Sequence, residues 1–423
     1  MKTIPYWLDD FPRPADLPTA PLPERIDVVV VGGGYTGLGA GRTLARNGHS
    51  VAVLEQGNIG NGASAMNGGQ AGPGVKLAIQ EVFKKYGPEL GRQVWQATLD
   101  SMTLLEETLA EENIDCDYTP NGVIMAACKP SHYQAYAAKT EWMQQNLQYD
   151  RFKLVPPEQM HTELGTNIYH GALVDYGTSG LHPAKYLFGL ARAAARAGAH
   201  ICENTRVEKI TRHGDGFTLA TSRGPVQANA VLLATNGYTT NLVPQIQRGV
   251  FTVGSYMIVT EPLPEALQKE LVPNNRVIYD SKWFLNYFRL MPDGRMSMGG
   301  RNNLSPNLDV GESAQILSAR MIEIFPQLKG VPVTHTWTGQ LGVTFDLMPH
   351  IGREEGVYFA YGYGGHGVAL SAYLGKEAAE LMTGKISRSP FAEVSHQKPF
   401  YYRGNAWFLP LAAAYYRFLD SVS

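Results

Sequence analysis

The stretch that decides the fold runs from Ile26 to Gly37 and reads IDVVVVGGGYTG. Its first half is a β-branched run, which is typical of a buried parallel strand. The glycines Gly32, Gly34 and Gly37 then match the GxGxxG pattern. In that pattern the first glycine permits a tight turn, the second lets the backbone approach a pyrophosphate, and the third lets the helix lie close to the sheet. The stretch therefore predicts a strand, a phosphate-binding turn and the start of a helix.

The residues that follow complete a nucleotide-binding unit. Helical spacing continues to Asn47, and a second strand over 50–54 ends on Glu55. An acid about 20 residues beyond the glycines can accept hydrogen bonds from ribose hydroxyls. A bare GxGxxG is often only a glycine-rich turn, but strand, helix, strand and acid in this order favour a dinucleotide. The acid argues against NADP, and the unit alone leaves NAD and FAD both open.

Composition limits the classes of protein that need to be considered. The chain has 423 residues, which exceeds the roughly 250–300 at which one core stops growing, so two domains are expected. A net charge of −2 gives no field that would attract nucleic acid. Three cysteines without CxxC spacing favour neither a disulfide framework nor a zinc site. We expect no metal site and a reducing, cytoplasmic location.

The two ends of the chain differ from the middle. Residues 1–24 are rich in proline and lack the apolar core of a secretion signal, so they predict an extended arm packed on the surface. Residues 391–423 predict a tail with a terminal helix around AWFLPLAAAYY at 406–416. No segment reaches the roughly 18 apolar residues of a membrane span. Peripheral membrane contact through the C-terminus stays open as the less favoured alternative.

A glycine-rich loop follows Glu55 directly and reads GNIGNGASAMNGGQAG over 57–72. Such a loop is either a flexible surface segment or backbone wrapped around a cofactor. Its position immediately after the ribose-binding acid favours the second interpretation. Ser64, Asn67 and Gln70 are the polar contacts expected within it.

With this loop, the chain resembles the D-amino-acid oxidase, glycine oxidase and sarcosine oxidase family of FAD enzymes, and looks closest to the γ-glutamylputrescine oxidase branch. The loop carries part of the likeness, in the segments 62–64 and 67–70. The other segments that resemble the family, in chain order, are 204–210, 231–238, 337–339, Thr344, Asp346, 349–352 and 361–368. Together they span most of the chain.

The resemblance implies a fold of class α/β plus α+β. A Rossmann-like FAD-binding domain with the βαβ unit would comprise residues 25–100, 160–240 and 336–390. An antiparallel-sheet substrate domain would comprise 101–159 and 241–335. The residues expected to bind FAD are Gly32, Gly34, Tyr35, Thr36, Gly37, Glu55, Gln56, Ala63, Ser64, Asn67, Gly68, Gly69, Gln70, Val207, Thr235, Gly237, Gly339, Gly364, Gly365, His366, Gly367 and Val368.

The last of these residues can also be argued from local pattern. A strand over 357–360 and a helix over 368–381 are separated by GYGGHG at 362–367. The glycines would direct several N–H groups and a helix dipole at one point, where they would stabilise negative charge on a reduced flavin. His366 either lines the site or holds the loop by hydrogen bonding, and we do not assign it as a general base.

Four departures from the family pattern carry information. The segment 340–344 has no cysteine, which predicts noncovalent FAD. Leu341 stands where D-amino-acid and glycine oxidases have a carboxylate-binding arginine, so an amine without an α-carboxylate is favoured. Ser297 corresponds to the lysine that helps sarcosine oxidases react with oxygen, which leaves the electron acceptor open. Met66 replaces an arginine common in the glycine loop of the putrescine branch.

The substrate half shows alternating, strand-like patterns. The predicted strands are 118–127, 171–176, 250–260, 276–280, 284–291 and 295–300, the last two joined by a hairpin at 292–294. Tyr287 corresponds to a substrate-contacting tyrosine of the family, and substrate contact is only slightly favoured over core packing. For Arg289 a structural role is favoured. The other candidates for the walls of a substrate site are Trp283, Tyr256, Arg301, Gln340 and His366.

The resemblance implies an enzyme that oxidises the C–N bond of an amine through FAD, giving an imine that water hydrolyses. We expect an oxidase of a γ-glutamylated or otherwise elongated primary amine that produces hydrogen peroxide. One alternative is a dehydrogenase or demethylase of a secondary amine or N-methyl amino acid that uses another electron acceptor. A flavin-binding redox sensor without turnover is the alternative from a different class. The expected partners are thus a small amine and either oxygen or another acceptor, with no nucleic acid.

Overall fold

The computed structural model describes residues 1–301 and 304–422. The strands are β1 (Arg25–Val31), β2 (Val51–Leu54), β3 (Gln70–Ala71), β4 (Val123–Ala126), β5 (Phe152–Val155), β6 (Ala172–Asp175), β7 (Ser179–Gly180), β8 (His200–Cys202), β9 (Val207–His213), β10 (Gly216–Thr221), β11 (Gly224–Leu233), β12 (Val250–Pro262), β13 (Val277–Asp280), β14 (Asn286–Leu290), β15 (Arg295–Gly300), β16 (Val333–Thr344), β17 (His350–Glu354) and β18 (Val357–Tyr361). The helices are α1 (Tyr6–Asp10), α2 (Tyr35–Arg46), α3 (Ile79–Tyr86), α4 (Pro88–Glu111), α5 (Pro130–Leu147), α6 (Pro183–Arg196), α7 (Pro244–Gln247), α8 (Glu265–Leu271), α9 (Val310–Ile324), α10 (Gly367–Met382), α11 (Pro390–Glu393) and α12 (Leu409–Val422).

The first sheet contains the predicted nucleotide-binding unit. Its strands lie in the order β17-β18-β11-β1-β2-β8, and β10 and β9 are attached beyond β11. The strands β11, β1, β2 and β8 run parallel, as does β18 beside β11. Val29 and Val30 of β1 are fully buried, because helices cover a parallel sheet on its faces. The Rossmann-like βαβ unit is therefore confirmed.

The second sheet has the order β16-β12-β15-β14-β13-β4-β6-β5. Its pairings are antiparallel except for β13 beside β4, which is parallel, so the sheet is mixed rather than purely antiparallel. The buried side of this sheet packs against α9 through Leu317 and Met321. Two sheets interleaved along one chain agree with the expected combination of α/β and α+β parts.

Two segments lie in a different sheet from the one that the sequence predicted. The ranges 160–240 and 336–390, expected to belong to the FAD-binding domain, contain β6 and most of β16. Both strands pair in the second sheet and not in the first. The reason is long-range pairing. β16 lies antiparallel to β12, with Thr344 opposite Val250 at one end and Val333 opposite Thr260 at the other. The chain returns to the first sheet only at β17. A family likeness in sequence does not reveal such pairing partners.

The N-terminal arm is not fully extended, because it contains the short helix α1. Trp7 in α1 is fully buried, and its Nε1 donates a hydrogen bond to the carbonyl of Asn67 (2.8 Å). The arm thus packs against the glycine-rich loop. At the other end of the chain, α12 lies within the predicted C-terminal tail. Among the described residues, none of the helices has both the length and the apolar character required to cross a bilayer.

Candidate active site

The GxGxxG turn has the close packing that its glycines predict. Gly32 has a φ of +109°, and a Cβ atom there would lie 2.8 Å from the carbonyl oxygen of Ala234. A Cβ atom at Gly37 would lie 1.8 Å from the carbonyl oxygen of Gly32. Gly37 therefore sets the approach of α2 to β1 and does not itself line a cavity. Gly34 is the N-cap of α2 and faces Ser64, whose Oγ accepts a hydrogen bond from Tyr35 N–H (3.1 Å).

Two long helices begin at the same cavity. α2 begins after Gly34 and α10 after His366, and neither N-cap side chain bonds to the first turn of its helix. Tyr35 N–H of α2 is bonded to Ser64 Oγ, and the following first-turn N–H groups of α2 and those of α10 lie at two walls of the cavity without a side-chain cap. Their partial positive charge is suited to phosphates and to negative charge on a ring.

Glu55 is held in place by backbone at the end of β2. Its Oε2 accepts a hydrogen bond from Gly33 N–H (2.9 Å), and its Oε1 accepts one from Gly57 N–H (3.0 Å). A carboxylate has about four acceptor positions, so two bonds leave capacity for ribose hydroxyls. The turn before α2 and the glycine-rich loop are both tied to this one side chain.

These elements enclose the first cavity, of about 250 Å³, which we call the cofactor cavity. The predicted cofactor residues that line it are Gly32, Gly34, Tyr35, Thr36, Glu55, Gln56, Ala63, Ser64, Asn67, Val207, Thr235, Gly364, Gly365, Gly367 and Val368. An FAD needs a glycine turn at a helix N-terminus for its phosphates, an acid for its ribose and a second helix N-terminus for its ring. The residues present therefore fit this cofactor.

The other predicted cofactor residues lie elsewhere. Three of them line neither this cavity nor the second one and act in packing: Gly37, Gly69 and Gly237. A Cβ atom at Gly69 would lie 2.2 Å from the carbonyl oxygen of Leu181, and a Cβ atom at Gly237 would lie 2.9 Å from the backbone nitrogen of Gly342. The residues Gly68, Gln70, Gly339 and His366 line a second cavity instead. Sequence reasoning missed further lining residues of the cofactor cavity, among them Asn61, Gly62, Arg206, Tyr238, Gly342 and Tyr363. Several of them lie within the very segments quoted for the resemblance.

The second cavity, of about 400 Å³, adjoins the first and is here called the substrate cavity. The residues that line both are Ala63, Asn67, Leu341, Gly364, Gly365 and Val368. They come from the glycine-rich loop, β16 and the start of α10, where the family likeness implies the flavin ring. A molecule in the substrate cavity would therefore reach the cofactor at this shared wall.

Tyr287 lines the substrate cavity, as predicted for a substrate contact. Its hydroxyl lies 2.9 Å from Ser255 Oγ. Its ring packs against two glycines: a Cβ atom would lie 2.9 Å from the ring at Gly68 and 2.1 Å from it at Gly299. Burial raises the pKa of Tyr287 above its usual value. The phenol is neutral and can both donate and accept a hydrogen bond.

His366 lines the substrate cavity and also begins α10. Its N–H donates a hydrogen bond to the carbonyl of Tyr363 (2.9 Å), whereas its Nδ1 is buried without a partner in the described part of the chain. Burial, followed by the charges of Lys76 and Arg301, lowers the pKa of His366 to about 3. The imidazole is neutral at physiological pH, and its orphaned ring nitrogen is free for a ligand.

Four other candidates do not line the substrate cavity, and these predictions are corrected. Arg289 is buried and donates to the carbonyls of Gly69 and Leu181 (both 2.9 Å), which gives it the structural role favoured above. Tyr256 is fully buried, with its hydroxyl bonded to the carbonyl of Ser305. Of the other two, Trp283 is stacked on Tyr416 at the surface, and Gln340 is absent from the lining. Alternation along a strand gives the face of a side chain but not what covers that face.

Two lysines in the substrate cavity are the main feature that sequence reasoning missed. Arg301, predicted as a wall, lines the cavity together with Lys76 and Lys139. Burial, followed by the charge of Arg301, lowers the pKa of Lys76 to about 7. Lys76 follows the glycine-rich loop directly, and this position was the available signal. Ser297, which took the place of the family lysine, is buried and donates to the carbonyl of Arg289 instead.

None of the three cysteines lines either cavity, which agrees with noncovalent FAD. Over residues 1–301 and 304–422 there is no group of three or more His, Cys, Asp or Glu residues that could hold a metal ion.

Comparison with known proteins agrees with this site. A family model described as FAD dependent oxidoreductase, DAO, matches residues 27–381. The chain is 32% identical to gamma-glutamylputrescine oxidoreductase of Escherichia coli over 93% of this chain and 92% of that protein. It is 30% identical to a probable oxidoreductase OrdL of Haemophilus influenzae over 98% of this chain and 96% of that protein.

Among solved structures, glycine oxidase from Geobacillus kaustophilus superimposes with a TM-score of 0.75 and 23% identity, covering 89% of this chain and all of that one. This likeness concerns the fold alone. The glycine turn, the backbone-held acid and the two helix N-termini thus agree with a family model that matches most of the sequence, and the chain belongs to the DAO family of FAD-dependent oxidoreductases.

Proposed function

We propose that this protein is an oxidase of an elongated primary amine. The amine and oxygen, with water, give an aldehyde, ammonia and hydrogen peroxide: the C–N bond is oxidised to an imine, which water hydrolyses, and oxygen takes up the two electrons. When bound, FAD supplies the capacity to accept a hydride from the carbon beside the nitrogen. The residues that would hold it are those lining the cofactor cavity, with Glu55 at the ribose and the starts of α2 and α10 at the charged parts.

The observation that carries the proposal is the substrate cavity and its wall shared with the cofactor cavity. Its volume of about 400 Å³ is within the range of roughly 300–1,000 Å³ that is common for small-molecule sites. Leu341 contributes an apolar side chain to the shared wall. An amine carbon with no adjacent carboxylate fits against this side chain, because Leu341 offers no donor to an α-carboxylate.

The titratable side chains favour an amine that reacts as the free base. Tyr287 and His366 are neutral, so neither fixes a positive ammonium group by charge. Lys76, with a pKa of about 7, has a neutral Nζ above that pH and therefore does not repel an arriving amine by charge. Gly364 packs against the Lys76 side chain, which brings the lysine to the shared wall.

The name of one relative supports the substrate class. The Escherichia coli protein, 32% identical over almost its full length, is named for gamma-glutamylputrescine, a long amine. We extend this to the present chain as a preference for long primary amines, γ-glutamylated ones included.

The proposal is tested with purified holoenzyme and a panel of amines under air. We expect a flavin absorption spectrum that is bleached by long primary amines under anaerobic conditions, and stoichiometric peroxide under air. Turnover with a dye acceptor but none with oxygen would replace the oxidase by a dehydrogenase. A D-amino acid or a secondary amine as the best substrate would contradict the proposal.

A further inference from the structure

The walls of the substrate cavity that are not shared with the cofactor cavity contain a polar cluster that the amine chemistry does not use. Lys139 of α5, Trp95 of α4, Asp175 at the end of β6 and Phe152 of β5 all line the substrate cavity, and none of them lines the cofactor cavity. We call these four residues the distal cluster. Four separate elements of the fold bring them together.

Lys139 has no hydrogen-bond or ion-pair partner in the described part of the chain. Its Nζ lies 5.3 Å from the centre of the Phe152 ring. Burial lowers the pKa of Lys139, and the charge of Asp175 opposes that shift. A carboxylate on a ligand would add a second negative charge beside Lys139 and favour its protonated form further.

Trp95 adds a second unsatisfied donor. The side chain is only 6% exposed, and its Nε1 has no acceptor among the described residues. Buried polar atoms in native proteins nearly always have a partner. An indole N–H is a donor only, so the missing group is an acceptor, as a carboxylate oxygen would be.

Asp175 is the carboxyl group of the cluster. Burial raises its pKa, and the hydrogen bonds from Tyr149 and Gly177 and the charge of Lys139 oppose that shift. Its Oδ1 accepts hydrogen bonds from Tyr149 Oη (2.5 Å) and Gly177 N–H (2.8 Å). Its Oδ2 has no protein donor within residues 1–301 and 304–422. The Tyr149 ring makes edge contacts with Trp95 (5.1 Å) and Phe152 (4.9 Å), so it ties the acid to the other members of the cluster.

We propose that the distal cluster binds the head group of an α-amino acid, that is, a carboxylate and an ammonium on one carbon. Lys139 and Trp95 Nε1 donate to the carboxylate, and Asp175 Oδ2 accepts from the ammonium. This inference rests on the proposed function and specifies its substrate: an amine that is oxidised at one end of a chain whose other end is an unreacted α-amino acid. A simple diamine has no group that could accept hydrogen bonds from Lys139 and Trp95, so the cluster distinguishes the amino-acid head group from a diamine.

The test compares three compounds with the same terminal amine: γ-glutamylputrescine, its α-carboxamide, and the glutaryl analogue that lacks the α-amino group. For the natural enzyme we expect kcat/KM to fall about tenfold or more on either change, because hydrogen bonds to charged groups typically have that effect. In Lys139→Met the ratio of kcat/KM for γ-glutamylputrescine to kcat/KM for its carboxamide should approach one. In Asp175→Asn the ratio of kcat/KM for γ-glutamylputrescine to kcat/KM for the glutaryl analogue should approach one.

Lys153→Met is the matched control, because Lys153 is an exposed lysine on β5 next to Phe152. The natural ratios should persist in it. Trp95→Phe repeats the carboxylate test if Lys139→Met does not fold. The inference would be overturned if these ratios of kcat/KM were below about threefold in the natural enzyme. It would also be overturned if the ratio of γ-glutamylputrescine to its carboxamide were unaltered in folded Lys139→Met or Trp95→Phe.

A binding measurement separates this inference from the proposed function. N-butyl γ-glutamylamide has the head group but no terminal amine, so it can bind without reacting. We expect calorimetry with the holoenzyme to detect its binding and to detect at least tenfold weaker binding in Lys139→Met. Absence of binding to the natural holoenzyme would refute the distal site even if amines are oxidised. Binding without oxidation of any amine would refute the proposed function alone.

Discussion

At the scale of single residues, the cofactor part of the site follows from residue type and the substrate part does not. Gly32, Gly34 and Glu55 have few alternatives in a βαβ unit, because phosphate and ribose must meet backbone and acid at fixed places. Arg289 and Tyr256 had suitable chemistry for a substrate wall, yet they are bonded to carbonyl groups away from the cavity. A polar side chain in a strand can serve packing or binding, and only its neighbours decide.

Glu55→Gln should weaken FAD binding without unfolding the protein. The glutamine keeps one acceptor oxygen but turns an NH2 group toward an N–H that the carboxylate now binds. Loss of one charge-assisted bond costs roughly 1.5–3 kcal/mol, which is about 10–150-fold in the FAD dissociation constant. Fluorescence titration of the apoprotein with FAD measures this, with the exposed Glu24→Gln as control. Equal affinities in Glu55→Gln and Glu24→Gln would contradict the ribose-binding role.

Lys76→Met should alter the pH dependence of amine oxidation. Because the pKa of Lys76 is about 7, its Nζ gains a proton below that pH, and the cation repels an ammonium substrate. The natural enzyme should therefore show kcat/KM rising through about pH 7, and this limb should disappear in Lys76→Met while any limb due to the substrate amine remains. Steady-state rates from pH 5.5 to 9.5 check it, with the exposed Lys84→Met as control. A persistent limb at pH 7 in Lys76→Met would assign it to another group.

At the scale of elements, patterns predicted the regular elements near the cofactor closely. The predicted helix over 368–381 is observed as Gly367–Met382, and the strand predicted over 295–300 has those bounds. The helix α1 was missed, because five residues between prolines have little helical signal of their own and depend on burial of Trp7 for their stability. Its position against the glycine-rich loop gives the arm a part in the site.

Trp7→Phe should loosen the glycine-rich loop. The substitution keeps an aromatic ring in the buried position but removes the hydrogen bond to the Asn67 carbonyl. We expect a loss of about 1–3 kcal/mol, because the carbonyl loses its buried partner, and a larger loss of thermal stability in the presence of saturating FAD than in its absence. Thermal unfolding with and without FAD tests this beside Trp407→Phe, a change at an exposed tryptophan. The prediction fails if Trp7→Phe and Trp407→Phe unfold alike.

At the scale of the whole molecule, buried histidines link stability to pH. His396 stacks on His350 at 4.2 Å and bonds through Nε2 to the hydroxyl of Tyr361 (3.0 Å). The tail segment before α12 thereby packs on the first sheet. Burial, then the charge of His350, lowers the pKa of His396 to about 3. The folded chain therefore keeps this imidazole neutral well below the pH at which the unfolded chain protonates it.

Acid should destabilise the protein partly through His396, and His396→Gln should reduce that sensitivity. Between about pH 6.5 and 3 the unfolded state binds the extra proton, so the stabilisation from the neutral imidazole is lost as pH falls, by up to about 1.4 kcal/mol per pH unit for one group. Urea unfolding from pH 4 to 7 should show a shallower slope for His396→Gln by about that amount. The exposed His161→Gln is the control. Parallel slopes in the natural chain and His396→Gln would exclude this origin.

Local hydrophobic periodicity and glycines at fixed spacing predicted the βαβ unit, because these signals act over tens of residues. The resemblance of several segments to a known family then implied FAD. The pairing of β6 and β16 in the second sheet, and the meeting of Lys76, Lys139 and Trp95 at one cavity, are visible only in the folded chain. Strand pairing and cavity walls join residues that are far apart along the chain, and nothing in the local pattern of either partner records the other. Binding of a dinucleotide was thus predictable from residues close together along the chain, whereas the shape and charge of the substrate site arise from how the two sheets fold together.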